Sequence, residues 1–448
     1  MYKKVISLPL MALLVIGLDG PVFGQQAQVG FAGRAQPATS EAEYLELIDE
    51  QVVNYSTVPH FGGPMSVGAQ VKADAESKHN PFRFEGLSHS FQPYFDFKDR
   101  LNKQHGFSFG GDYNLMVQAA NKSPGEDHAA GGVFRLYGSW QLTGGDSSDS
   151  GSLVFKIENR HKLSTDIAPQ QLGPETGYAG LTAITYSDAG NMLSNLYWQQ
   201  SFNNNQIAFV AGIVDSTDYV AVYGLVNPWT DFSNLAFSTD PTIPAPNQGG
   251  GVAIKGMLTE NLYLLGGLAD ANGDPTEPGD SLDSFFNDHE FFKHLEFGWI
   301  SSFDNRFKDN IHLTLWQSDE RKELQIAEGH GVSFSFNKLI NERWLPFLRA
   351  GYSNGDGGAF LERSLSVGFG YFPAKRSDTF GVGVNWGKPA ETPSVSDPDS
   401  QYTAEIFYRF QLFQHMTITP DIQYLKNPGL STEKTTIWVA GLRARMVF

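Results

Sequence analysis

Two stretches match the G-x-S-x-G pattern of a hydrolase nucleophile, Gly106 to Gly110 and Gly351 to Gly355. That chemistry needs the serine on a sharp turn between a strand and a helix. Ser108 instead lies on the polar side of an alternating stretch, and Ser353 precedes "NGDGG", a turn. Nothing pairs a histidine with either serine. "DANGDPTEPGD", Asp270 to Asp280, gathers oxygen ligands but lacks the spacing of an EF-hand, so it reads as a solvated acidic loop. The histidines are scattered, with no pair at helical metal spacing. These motifs point to no catalytic residue, no metal and no cofactor, and the chain is read as a non-enzyme.

The polar residues with a positional logic are different. Arg135, Lys156, Glu158, Arg160, Lys255, Glu296, Arg349, Glu405, Arg409, Asp421, Arg443 and Arg445 all stand opposite apolar neighbours in alternating stretches. In "VFRLYGSWQL", Phe134, Leu136, Trp140 and Leu142 oppose Arg135, Tyr137, Ser139 and Gln141; in "SLVFKIENR", Leu153, Phe155 and Ile157 oppose Lys156, Glu158 and Arg160. Any one of these charges could simply solvate a wall or pair across strands. Taken together, interleaved acids, bases and aromatics suit a mixed-charge pore that hydrogen-bonds and stacks neutral sugars.

The elements that position them are strands. Alternation of period two starts at Gly106 and runs to the carboxyl end, giving about sixteen segments. They fall near 107–119, 132–142, 151–160, 191–202, 206–214, 250–258, 261–269, 294–303, 309–317, 330–337, 345–353, 363–372, 378–386, 401–412, 415–425 and 435–448. Their connections alternate long and short, as extracellular loops and periplasmic turns do in an outer-membrane barrel. The final stretch "TTIWVAGLRARMVF" puts Trp438, Leu442, Met446 and the terminal Phe448 on one face and Arg443 and Arg445 on the other. Lipid on the first side and water on the second satisfies both. The fold class is therefore all-β, a transmembrane antiparallel barrel preceded by a short, partly helical periplasmic segment.

Three domains follow. Residues 1–24 carry Lys3 and Lys4, an apolar run too short to span a bilayer, and a small-residue cleavage site, the pattern of a signal peptide. Residues 25–106 form the amino-terminal segment, with helical spacing in "AEYLELIDEQVV" and again from Pro93 to His105, where Gly106 supplies the stop. Residues 107–448 form the barrel. The mean hydropathy of −0.28 does not speak against a membrane, because alternation averages to a polar score. The absence of cysteine excludes a disulfide scaffold, and a net charge of −17 argues against nucleic acid. Within the longest connection, Asp215 to Gly249, the residues Tyr219, Trp229, Asp231 and Phe232 belong to a stretch too apolar for an exposed loop. It is expected to pack inside the barrel as a constriction.

"AGIVDSTDYVAVYGL", "FSTDPTIPAPNQGGG", "AEIFYRFQL", "TPDIQYLKNPG" and the terminal "GLRARMVF" resemble the carbohydrate-selective porin, or OprB, family. The likeness covers most of the chain after about Gly86. It implies a sixteen-stranded barrel in the outer membrane of a Gram-negative-type cell, carrying glucose-like monosaccharides or small oligosaccharides by facilitated diffusion. A general or anion-preferring porin is the alternative. Outer-membrane lipid is an expected partner, and Phe448 is expected to be the mark read by the barrel-assembly machinery. The homotrimer that porins often form and the role of residues 25–86 stay open at this point.

Overall fold

In a computed structural model of the chain, the structure describes residues 61–79, 85–145, 149–392, 395–431 and 435–448, with backbone alone for 85–92. The signal-peptide residues and the helix expected at "AEYLELIDEQVV" lie outside these. Sixteen strands close into one antiparallel barrel. They are β1 Phe107–Ala120, β2 His128–Thr143, β3 Gly151–Lys162, β4 Gly190–Phe202, β5 Ile207–Val214, β6 Gly249–Met257, β7 Leu262–Asp270 and β8 Phe291–Ile300. The remainder are β9 Asp309–Ser318, β10 Gly329–Lys338, β11 Trp344–Ser353, β12 Leu361–Tyr371, β13 Thr379–Pro389, β14 Gln401–Phe413, β15 Met416–Lys426 and β16 Thr436–Val447.

Each strand pairs with its neighbours in sequence, and β1 closes on β16 with Asn114 opposite Arg445 and Leu115 opposite Ala444. Closure leaves no unpaired edge, which is what lets strands cross hydrocarbon. The side-chain period fixes the faces. Trp438, Leu442 and Met446 are about half exposed on the outer surface, while Val439 and Arg443 are buried within. Exposed aromatics gather at both rims: Trp140, Phe202, Trp299 and Trp344 beside the short turns, and Tyr352, Tyr402 and Trp438 beside the long loops. Such girdles mark the two membrane–water interfaces. No described helix is long and apolar enough to cross a membrane.

The strand boundaries follow the alternation closely. The start of β2 at His128 departs most, against the expected 132, and the eighth strand is shifted by three residues at both ends, Phe291–Ile300 against the expected 294–303. Two adjacent rings, Phe291 and Phe292, break the apolar–polar alternation at the start of the eighth strand, although one faces in and the other out.

Five α-helices accompany the barrel among the described residues: α1 Val67–Ala75, α2 Glu85–His105, α3 Pro169–Glu175, α4 Leu235–Ser238 and α5 Pro278–Asn287. Helix α2 begins before the expected Pro93, which it contains, and it ends where Gly106 takes φ +64, as a glycine stop should. It rests against the outer wall: Tyr94 meets Phe109 edge-on at 6.3 Å, and the Trp140 indole donates to the His105 carbonyl at 3.0 Å. The stretch around α1, read in sequence as part of a periplasmic segment, packs differently. Phe61, Val67 and Val71 are buried with Tyr137 and Val154 of the barrel's inner wall.

Candidate functional site

The connection from β5 to β6 folds into the lumen, as its apolar composition predicted. Tyr223, Phe232 and Phe237 form a buried cluster with the wall residues Phe347 and Phe407. Phe232 meets Phe407 edge-on at 4.9 Å and lies tilted against Phe237 at 5.0 Å. Gly383 on β13 makes room, because a Cβ there would stand 2.8 Å from the Phe237 ring.

Polar anchors hold the same loop. The Glu405 carboxylate accepts the backbone N–H of Ser233 at 2.8 Å and of Asn234 at 2.9 Å. Arg443 donates to the carbonyls of Pro228 at 2.7 Å and Asp231 at 2.5 Å. Arg349 donates to the carbonyls of Ala221 at 3.1 Å and of Thr239. These bonds satisfy backbone groups that a loop inside a barrel would otherwise bury unpaired.

A second loop, between β3 and β4, also turns inward. The Tyr178 hydroxyl donates to Asn234 Oδ1 at 3.1 Å, and Tyr186 packs on Trp229 at 5.6 Å. The two loops together bound a cavity of about 530 Å³, lined by Lys156, Glu158, Arg160, Asp215, Asp218 and Trp229.

The charges at this cavity are arranged in pairs. Glu158 accepts from Arg160 Nε at 2.7 Å. Lys156 lies 3.4 Å from Asp218 and 3.7 Å from Asp215. Arg135 donates from Nε to Asp112 at 2.8 Å, and its guanidinium carbon stands 4.0 Å from the centroid of Trp229, a cation–π contact. The Nη1 of Arg135 is buried without a hydrogen bond. Burial pushes the Asp218 carboxyl up to about 7, against the lowering pull of Lys156.

The structure thus divides the expected pore residues. Glu158 and Arg160 line the open cavity together with Trp229, and Arg135 stands directly behind the indole. Lys255 faces a slit of about 10 Å³, with its ammonium 4.5 Å from the Tyr263 ring. Arg445 borders another of about 20 Å³ and binds Asp112 at 2.7 Å. Arg409 pairs with Asp231 at 3.5 Å. Glu405, Arg349 and Arg443 face inward as expected yet lie beneath the folded loop, anchoring it instead of lining water, and Asp421 lies beside Arg443 at 3.9 Å. Phe232 is likewise fully buried in packing, and Tyr219 is buried beside the slit that Lys255 faces. Parity decides which side a residue faces but not what stands in front of it.

Asp112, Tyr186 and the β3–β4 loop complete the site beyond the expected residues. Asp112 sits on the inward side of β1, where the alternation could have marked it as the counter-charge for Arg135 and Arg445. Among the described residues, no group of three or more His, Asp or Glu side chains could hold a metal ion. Ser353 donates its hydroxyl to the Leu361 carbonyl at 3.1 Å.

A closed barrel of sixteen strands, narrowed by an inward loop and lined with paired charges, is the architecture of a porin. Residues 327–448, from β10 to the carboxyl end, match the family model for the carbohydrate-selective porin, OprB family. The resemblance seen in the sequence is found over that span, which includes "AEIFYRFQL", "TPDIQYLKNPG" and "GLRARMVF". The high-pH structure of Pseudomonas putida OprB superimposes with a TM-score of 0.64 at 15% identity, covering 79% of this chain and 97% of that one. Its low-pH structure gives 0.45 at 13% identity, covering 83% and 100%. A mutant Rh. blastica porin gives 0.47 at 12%, covering 76% and 100%. At 15% identity the likeness to the high-pH structure is one of fold. No curated protein matches the sequence.

Proposed function

We propose that this chain is an outer-membrane porin that passes sugars by facilitated diffusion, with its selective contacts at Glu158, Arg160 and Trp229 and with Arg135 backing the indole. The carrying observation is the composition of the cavity wall. Guanidinium donors and a carboxylate acceptor stand side by side around an indole, at a cavity of about 530 Å³. Sugar hydroxyls both donate and accept, so an Arg–Glu pair can exchange its internal bond for bonds to the solute. Behind the indole, the buried Arg135 supports Trp229 through its cation–π contact at 4.0 Å. Because the charges are paired, the site suits a neutral polar solute better than an ion, and this favours a sugar channel over an anion-preferring one. The family match at 327–448 points the same way.

The barrel would occupy the outer membrane of a Gram-negative-type cell, with residues 1–24 removed on export and 107–448 forming the channel. Phe448 supports a role in assembly. It closes the ladder through reciprocal backbone bonds with Gly111 and stacks on the outward Phe134 at 6.0 Å, where a factor in the periplasm can read it.

Planar-bilayer recordings test the site. Monosaccharide added to the bath should interrupt ion current through the wild-type channel, and Arg160→Ala or Glu158→Ala should weaken that block while leaving insertion intact. Equal block in all three proteins would place the sugar contacts elsewhere.

A further inference from the structure

We propose that residues 61–79 form a plug closing the periplasmic exit of the channel, so that a solute leaves the cavity only when this segment moves. The inference rests on the reading of the chain as a channel. Its basis is the course of the segment across the lumen. At its start, the Phe61 ring meets Tyr219 of the constriction loop edge-on at 5.4 Å, and the Gly63 N–H donates to the Asp218 carbonyl at 2.5 Å. Met65 forms part of the cavity wall. Helix α1 then crosses to β1, β2 and β3. There Asp74 accepts from Arg445 Nη2 at 2.9 Å and from the Tyr137 hydroxyl. The chain leaves between two short turns: the Lys78 N–H donates to Gln414 Oε1 at 2.8 Å, and the His79 N–H to Ser377 Oγ at 2.9 Å.

Space decides what this arrangement permits. The cavity above the segment holds about 530 Å³, whereas the openings along its two flanks hold about 10 and 20 Å³. A single water needs roughly 10–15 Å³ measured this way. A pyranose, with a dozen non-hydrogen atoms, fits neither flank, so among the described residues these two openings give sugar that has passed the constriction no way out.

The bonding shows that the floor can open. The barrel's strand ladders are complete without the segment. The plug is held instead by side-chain and loop contacts, chiefly Asp74 at one end and Gly63 at the other. Gly63 is fitted closely, since a Cβ there would lie 2.9 Å from Val222 Cβ. Displacing residues 61–79 therefore costs these contacts and the burial of a few apolar side chains, and leaves the wall standing.

Planar-bilayer ion current, which needs no sugar, reads the plug directly. The chain lacks cysteine, so Gly63→Cys with Val222→Cys introduces one defined crosslink; the pair needs a shift of under about 1 Å to reach the usual Cβ separation. Expected results are a current that falls several-fold on oxidation and returns on reduction, and an open fraction raised at least about tenfold by Asp74→Ala, the factor for one of its two charge-assisted hydrogen bonds. The reduced double variant serves as its own control for folding. Unchanged current in the oxidised, crosslinked protein, or in a variant lacking residues 61–79, overturns the plug. Ion current that responds in this way but is never blocked by sugar refutes the sugar reading alone. Silence in every form, including the deletion, overturns both.

Discussion

Replacing Glu405 with alanine should free the constriction loop without harming the barrel. The side chain points inward from β14, so its loss leaves the lipid face and the strand ladder untouched. It holds two backbone N–H groups, those of Ser233 and Asn234, at 2.8 and 2.9 Å, and is itself fully buried. Hydrogen bonds to a charged acceptor contribute about 1.5–3 kcal/mol each, so the two together bound the local loss at about 6 kcal/mol. Some of that is offset, because alanine also removes a buried carboxylate near Asp421. A net loss of about 3 kcal/mol is the expectation, which corresponds to roughly 100-fold more frequent opening of the loop. Amide exchange at Ser233 and Asn234 in detergent-solubilised protein should then accelerate by about that factor, while amides of β13 and β15 keep their protection. Glu405→Gln, which retains one acceptor oxygen, should fall between. Normal protection at both amides in a correctly folded Glu405→Ala protein would refute the anchoring argument.

Other outcomes follow from the same geometry. Leu442→Arg puts a charge among lipid tails at roughly 2–4 kcal/mol if near the membrane midplane, so the yield of inserted barrel should drop. Arg443→Gln should insert normally but loosen the loop, because Arg443 holds the Pro228 and Asp231 carbonyls; insertion yield and amide exchange separate the two effects. Asp218 should be charged above about pH 7 and neutral below it. Acidification through that value removes one negative charge beside Lys156, so the reversal potential in a salt gradient should shift toward anions with a midpoint near 7. Asp218→Asn should abolish the shift. Burial followed by Lys98 lowers the pKa of His415 below 6.5, and its ring stacks on Phe95 of α2 at 4.9 Å. The unfolded state then binds the proton more readily than the docked state just below pH 6.5. Acidification should therefore loosen α2, detected as faster proteolysis between Tyr94 and His105.

What could be read from the sequence was the part set by local period. Alternation located all sixteen strands, placed Trp438, Leu442 and Met446 on the outer face, and placed Arg443 and Arg445 on the inner one. Boundaries slipped where small or paired aromatic residues blur the alternation, as in the "HAAGG" start of β2 and the Phe291–Phe292 start of β8. The inward loop was legible because five aromatic rings in one connection have no place in water. The division of labour among inward charges was not, since Glu405 and Arg443 have the same parity as Glu158 and Arg160. Only tertiary contacts show that one pair carries the loop while the other meets the cavity. The residues around Met65 and Val67 were hidden for a related reason. Their Gly and Pro content reads as linker, and the Asp74–Arg445 contact joins positions at opposite ends of the chain.

The central claim is that a polar solute without charge crosses this barrel, and vesicle swelling tests it most directly. Liposomes containing the purified full chain, placed in isosmotic monosaccharide, should swell measurably faster than empty liposomes. Disaccharide should support slower swelling, and Arg160→Ala should narrow the difference between the two. Vesicles that conduct ions yet swell in no sugar would contradict the account.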